Sequence, residues 1–237
     1  MDDLLAGQLR ALWTESSITY AVLDRFVKYV YARQTMGRPR EFDMDEALTA
    51  VREEFWRHGY AGTSVDMLLE ATNLGKGSFY AAFGDKRTLF LRVLHEYATT
   101  RVATMRDLHR GSRRAIEALQ ATLRPALRPR GCFLANCTAE LSPQDADVVA
   151  LARTTFGAFE DIFTETIQRA VAEGDLPRTT RPRALASVLL AATNGLEFLG
   201  RTGLDDAAVD RVGRNVARNL LGNPGRVNRP RRHSKEQ

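Results

Sequence analysis

Cysteine is almost missing from this chain. Two occur in 237 residues, Cys132 and Cys137, too few for a disulfide framework, and their Cys-x4-Cys spacing has no second ligand pair nearby to close a metal site. Also missing is an apolar run long enough to span a bilayer. The N-terminus, with Asp2 and Asp3 and no basic flank, lacks the form of a secretory signal, so the reading is a cytoplasmic protein without membrane contact. Enzyme signatures are equally scarce. His58, His95, His109 and His233 are scattered, and no His-Glu-x-x-His, Gly-x-Gly-x-x-Gly or nucleophile-elbow serine occurs. Catalytic residues, a metal and a cofactor are therefore not expected. Strand alternation and internal repeats are absent as well. What remains is 44% apolar and 27% charged residues, ordinary for a globular protein.

A formal net charge of +5 invites a nucleic-acid partner, but placement decides more than the sum. Between 36 and 101 the acids Glu41, Asp43, Asp45, Glu46, Glu53, Glu54, Asp66, Glu70, Asp85 and Glu96 nearly offset the bases. Affinity for a polyanion would have to come from placed groups: Arg38, Arg40, Lys76, Lys86, Arg87 and free N–H groups at helix N-termini. Much of the excess lies in the segment 222–237, with Arg226, Arg229, Arg231, Arg232 and Lys235 after the breaker Gly222-Asn-Pro-Gly225. Its composition reads as a disordered basic tail.

Helical periodicity organises the rest. Ala47, Leu48, Val51 and Phe55 form the inward stripe of a first helix, capped by Asp43 and stopped by Gly59. Thr63 or Ser64 can cap a short helix with Val65, Leu68 and Leu69 on one face. Asn73 tolerates the positive φ of a sharp turn, and a second short helix follows with Phe79 and Phe83 inward. Its outer face shows Lys76, Gly77, Ser78 and Tyr80. Two short helices at a steep angle, residues 64–83, form a helix-turn-helix whose second helix is free to enter a DNA major groove. Asp85 caps a longer helix through Leu89, Phe90, Val93, Leu94 and Tyr97. Further helices are expected from Arg113 towards Arg124, from Cys132 to Leu141, from Gln144 to Glu173, from Arg183 to Leu199 and from Asp206 to Leu221.

The combination Met36-Gly-Arg-Pro-Arg-Glu-Phe42, Phe55-Trp-Arg-His-Gly-Tyr60, Thr63-Ser64-Val65, Gly75-Lys-Gly-Ser-Phe-Tyr80 and Lys86-Arg-Thr-Leu-Phe90 resembles the TetR/AcrR family of bacterial transcriptional regulators. A weaker likeness, in Gly131-Cys-Phe-Leu-Ala-Asn-Cys-Thr-Ala-Glu-Leu141, points to one subgroup. Asn73 stands where many members have Gly, and Ala81 and Ala82 where many carry bulkier polar residues. The resemblance implies an all-α homodimer of about nine helices per chain. Its N-terminal three-helix helix-turn-helix domain, 36–101, would bind double-stranded operator DNA, and a C-terminal helical domain, 102–221, would sense a ligand and dimerise. The implied function is a DNA-binding regulator, a repressor released from a palindromic operator by a small, largely apolar effector.

Each candidate has a plainer alternative. Thr63 and Ser64 suit a phosphate oxygen or are a simple N-cap. Lys76, one turn before Tyr80, suits a backbone or groove edge or is a solvated charge. Gly75 and Gly77 permit close backbone approach, to DNA or equally to the first helix of the motif. Ser78 with Lys76 is the base-reading pair. Tyr80 contacts phosphate or is a half-buried core ring. Lys86 opens the following helix beside the same strand, and Arg38 with Arg40 forms an arm towards backbone or minor groove. Phe156, Phe159 and Phe163 are core or the wall of an apolar effector pocket. Small residues Ala184, Ser187, Val188, Ala191, Ala192 and Gly195, with Val209, Val212, Val216 and Leu220, form a dimer interface or pack internally. Cys132 and Cys137 could make a thiol switch, though buried reduced cysteine is commoner. The remaining alternative is a ligand-binding protein or enzyme that retains the fold.

Residues 1–35 precede the family-like start at Met36. There Leu23-Asp24 and Val27-Lys28 can be encoded by CTTGAC and GTCAAG, reverse complements separated by the codons of Arg25-Phe26. The expectation is that translation begins at Met36 and that this segment is operator DNA read as protein; the alternative is a flexible N-terminal arm.

Overall fold

Apolar residues spaced three and four apart turn nearly all of the described chain into helix. The computed structural model describes residues 43–124, 130–142 and 144–222, which hold nine helices and no strand. In chain order these are α1 (Met44–Gly62), α2 (Val65–Thr72), α3 (Lys76–Phe83), α4 (Lys86–Gly111), α5 (Ala115–Thr122), α6 (Phe133–Leu141), α7 (Ala146–Ala172), α8 (Pro182–Arg201) and α9 (Asp206–Leu221). The all-α expectation holds. The arm with Arg38 and Arg40, the segment 1–35 and the tail beyond Gly222 lie outside the described residues.

α1 buries Ala47, Leu48, Val51 and Phe55, as its stripe predicts, and packs on α2, α4 and α6. Gly59 does not stop it. At φ 74°, ψ 175° it kinks the backbone, which resumes a helical turn as far as Gly62; a residue with a Cβ strongly disfavours that φ. α4 is capped by Asp85, which accepts the Thr88 N–H at 2.7 Å, and buries Leu89, Phe90, Val93, Leu94 and Tyr97. It runs unbroken past residue 101, so the expected domain boundary falls inside one continuous helix. The boundaries of α5, α7 and α8 shift from those expected by a few residues, because apolar periodicity marks the buried face of a helix and not its ends. For α7 the cap is Asp145, accepting from Asp147 and Val148 N–H, both at 3.2 Å.

Two apolar groupings result. An aromatic joint links α1, α4 and α6: Trp56 packs edge-on to Tyr97 (5.2 Å between centroids) and against Phe133 (5.6 Å), while Phe55 meets Phe90 edge-on at 5.2 Å. Farther along the chain, α5, α7, α8 and α9 gather around a core of Leu119, Phe159, Phe163, Ile167, Leu189 and Leu196. Gly213 on α9 is required there, since a Cβ would run into the Leu123 carbonyl oxygen.

Candidate nucleic-acid interface

α2 begins where Ser64, with extended backbone, accepts the Met67 N–H on Oγ at 3.1 Å. Thr63 does something else. It is 1% exposed, and its hydroxyl donates to the Gly59 carbonyl at 2.6 Å. The expected hydroxyl contact from Thr63 is therefore corrected: its side chain secures the kink of α1, and of the two only Ser64 faces outward. α2 ends at Asn73, the one described non-glycine residue with positive φ (52°), which returns its N–H to the Glu70 carbonyl at 3.2 Å. The left-handed backbone predicted for Asn73 is what turns the chain into α3.

α3 is seated by Phe79 and Phe83, 0% and 4% exposed, whose rings meet edge-on at 5.2 Å. Burying each contributes about 1.5–3 kcal/mol and leaves Gly75, Lys76, Gly77 and Ser78 exposed. Tyr80 is 41% exposed, its ring lying edge-on to Phe79, so it is not a core aromatic. Among the described residues nothing lies within 4 Å of a Cβ placed at Gly75 or Gly77. Close packing of Gly77 on another helix is thereby excluded, leaving room in front of α3. The N-cap Gly75 supplies no side-chain acceptor, so no capping side chain takes up the first amides of α3.

Lys86 and Arg87 part company at the start of α4. Lys86 Nζ lies 4.4 Å from the Tyr60 ring centroid, a cation–π contact that fixes its direction. Arg87 instead pairs with Asp145, and with Asp147 at 2.7 Å. The guanidinium holds the Asp145 carboxyl below its ordinary range. Counting Arg87 among groups placed for a polyanion is thus a correction; it ties α4 to the start of α7.

Similar ties join α1 to α6. The Trp56 indole donates to the Arg130 carbonyl at 3.1 Å, Arg130 pairs with Glu53, and the Glu140 carboxylate accepts the Tyr60 and Ala61 N–H groups. Beside this joint a cavity of about 400 Å³ is lined in part by Arg57, His58, Cys137, Glu140 and Arg201. None of these ties had a signal in the sequence.

Phe159 and Phe163 are 7% and 1% exposed and sit in the core, with Phe156 partly buried at its edge. A cavity of about 160 Å³ on α7 has other walls, among them Arg106, His109, Glu165, Thr166 and Arg169. His109 is 2% exposed. Its Nδ1 lies 2.9 Å from Thr166 Oγ1 and its Nε2 2.8 Å from Thr122 Oγ1. Burial, and then the Arg169 charge, push its pKa down to about 4, so the ring is neutral near pH 7. Cys132 and Cys137 are both buried, and burial pushes both thiols up. This argues against a reactive thiolate. Among the described residues no cluster of His, Cys, Asp and Glu could hold a metal, and no helix is long and apolar enough to cross a membrane.

On α8, Ala184, Ser187, Val188, Ala191 and Gly195 are exposed, and Phe198 is 64% exposed; they share one face at helical spacing. The α9 stripe differs: Val209 is 3% exposed, with Val212, Val216 and Leu220 packed on the chain's own core.

Residues 47–93 match the model of the bacterial regulatory proteins of the tetR family, and residues 112–216 that of the tetracyclin repressor-like C-terminal domain. The chain is 28% identical to the HTH-type transcriptional repressor ComR of Escherichia coli (strain K12), covering 72% of this chain and 85% of that one. It is 30% identical to the HTH-type transcriptional repressor DhaR of Mycobacterium sp. (strain GP1), covering 60% and 73%. Among solved structures it is 30% identical to a cysteine mutant of the TetR family transcriptional regulator CifR complexed with 26 bp double-strand operator DNA. The TM-score is 0.69, over 77% of this chain and 98% of that one.

Proposed function

This chain belongs to the tetR family of bacterial regulatory proteins, and from that premise we propose that it represses transcription as a homodimer on a palindromic operator, released by a small, largely apolar effector. It is a DNA-binding transcriptional regulator that works in the cytoplasm and has no catalytic role. The observation that carries the reading is α3 itself: two phenylalanines seat it, and Lys76, Ser78 and Tyr80 stand outward with no described residue within 4 Å of a Cβ placed at Gly75 or Gly77.

Ser64, Lys86 and Tyr80 hold phosphates, as does the arm with Arg38 and Arg40, while Lys76 and Ser78 reach base edges; phosphate contacts set register and base contacts specify. Residues 36–101 bind DNA and residues 102–221 sense and dimerise. The exposed face of α8 supports dimerisation, since small residues let two helices approach closely and Phe198 gains a cover. An apolar effector acts at Phe156, Phe159 and Phe163 by parting their packing. α4 carries the change, because it packs on α3 near its start and holds His109 in the core near its end. The effector must bind the non-operator state better, with coupling of about 1–3 kcal/mol. A gel-shift of the chain against DNA upstream of its own gene tests the reading. Retarded complexes are expected, and their absence at micromolar protein in low salt rejects it in favour of a non-regulatory relative.

A further inference from the structure

One motif is not absorbed by that function: Val22-Leu23-Asp24-Arg25-Phe26-Val27-Lys28-Tyr29, outside the described residues. As a peptide it carries no recognisable chemistry. As a run of codons it carries a symmetry. Reverse complementation turns GAC (Asp) into GTC (Val), CTT (Leu) into AAG (Lys) and GTA (Val) into TAC (Tyr). Val22-Leu23-Asp24 therefore maps onto Val27-Lys28-Tyr29, across the codons of Arg25-Phe26. A single choice satisfies all three pairs: GTA-CTT-GAC in the first arm and GTC-AAG-TAC in the second.

We propose that the duplex encoding Val22–Tyr29 is an operator for this protein, so that the dimer occupies its own gene and limits its own synthesis until effector releases it. The inference rests on the DNA-binding reading above and deepens it by naming the sequence bound. A two-fold dimer requires an inverted repeat, with half-sites about one helical turn apart so that both recognition helices meet the same side of the duplex. The inner arms TTGAC and GTCAA have centres about 11 base pairs apart, close to the ~10.5 of one turn.

The face of α3 fits short arms of this kind. Lys76 is its one cationic side chain, suited to guanine O6 and N7, and the exposed methyl of Ala81 is suited to a thymine methyl. Gly75, Gly77 and Ala81 let the helix approach closely and limit how many base pairs it reads. The family-matched residues, 47–93 and 112–216, leave this stretch untouched, so its bases are free to serve a second purpose. The abundance of Arg and Ala indicates a GC-rich gene, in which CTT and GTA are scarce, so their presence at these positions would separate an operator from an ordinary reading frame.

Sequencing the gene across these codons is the first test. Any codon other than CTT, GAC, GTC and AAG at Leu23, Asp24, Val27 and Lys28 overturns the inference. The full chain is then titrated against a duplex of this region, the same duplex with one arm scrambled, and a longer upstream fragment with both arms scrambled. The intact duplex should bind at least ~1,000-fold tighter than the scrambled one, with protection symmetric about the Arg25-Phe26 codons. Equal binding to the two short duplexes overturns the inference. In that event, retention of the longer fragment places the operator elsewhere and keeps the DNA-binding reading, whereas failure to retain any duplex removes both.

Discussion

The carboxylate of Glu140 accepts the backbone N–H groups of Tyr60 and Ala61 at 3.0 and 2.8 Å, and so fastens α6 to the turn that closes α1. The backbone at Gly59 makes this possible. A Cβ there would lie 2.6 Å from Glu140 Oε2, so the glycine serves the kink and admits the carboxylate at once.

Glu140→Ala should cost about 1–2 kcal/mol, since hydrogen bonds to a charged acceptor contribute about 1.5–3 kcal/mol and these are partly solvated. Gly59→Ala should cost a similar amount, from positive φ and the clash. The two should not add: without the carboxylate the clash disappears, so the double variant should be more stable than the sum of the singles predicts. Denaturant unfolding of all four proteins checks this, and strict additivity would show that the contact is incidental.

On DNA, Lys86→Ala should weaken operator binding and flatten its salt dependence. Breaking one phosphate contact takes about 0.9 off the log–log slope, or about 1.8 for a symmetric dimer. Lys76→Ala, at a base edge, should instead narrow the preference for operator over scrambled duplex, by about 1–3 kcal/mol per half-site. Thr63→Val is the contrast, because its hydroxyl points inward to Gly59: stability should fall with the slope unchanged. An altered slope for Thr63→Val contradicts an inward Thr63, an unaltered slope for Lys86→Ala contradicts its phosphate contact, and an unaltered sequence preference for Lys76→Ala contradicts its place at a base edge.

Val188→Asp and Phe198→Asp alter exposed positions on α8, so each monomer should fold with little change. If this face joins two chains, sedimentation should show monomers, and operator affinity should collapse because one head meets one half-site. Wild-type protein that sediments as a monomer at micromolar concentration refutes the dimer.

The buried His109 makes stability depend on pH in a definite direction. Its pKa is about 4 folded against about 6.5 unfolded, so between those values the unfolded chain binds more protons. Stability should therefore decline as pH falls from about 6.5 to about 4, by up to ~3 kcal/mol. His109→Gln should lose much of that dependence while keeping one hydrogen bond to a threonine. An unchanged profile would place the acid sensitivity elsewhere.

Local chemistry was legible from the residues alone. Ser64 as cap, Asn73 as left-handed turn, Asp85 as cap and the inward pair Phe79 and Phe83 follow from neighbours a few residues apart, and the outward face of α3 follows from them. The α7 stripe was legible for the same reason, because 3.6-residue periodicity records which side is dry. What lay beyond reach were pairings across long separations. Thr63 and Ser64 are interchangeable caps by residue type, and only packing against the α1 kink turned one inward. Arg87 looked as free as Lys86 until the fold brought Asp145 and Asp147 to it. His109 showed no partner in sequence, since Thr122 and Thr166 reach it from other helices. Helix formation depends on residues one turn apart, whereas an ion pair or a buried imidazole depends on which helices the core brings together, and that choice is made by the whole set of apolar faces at once.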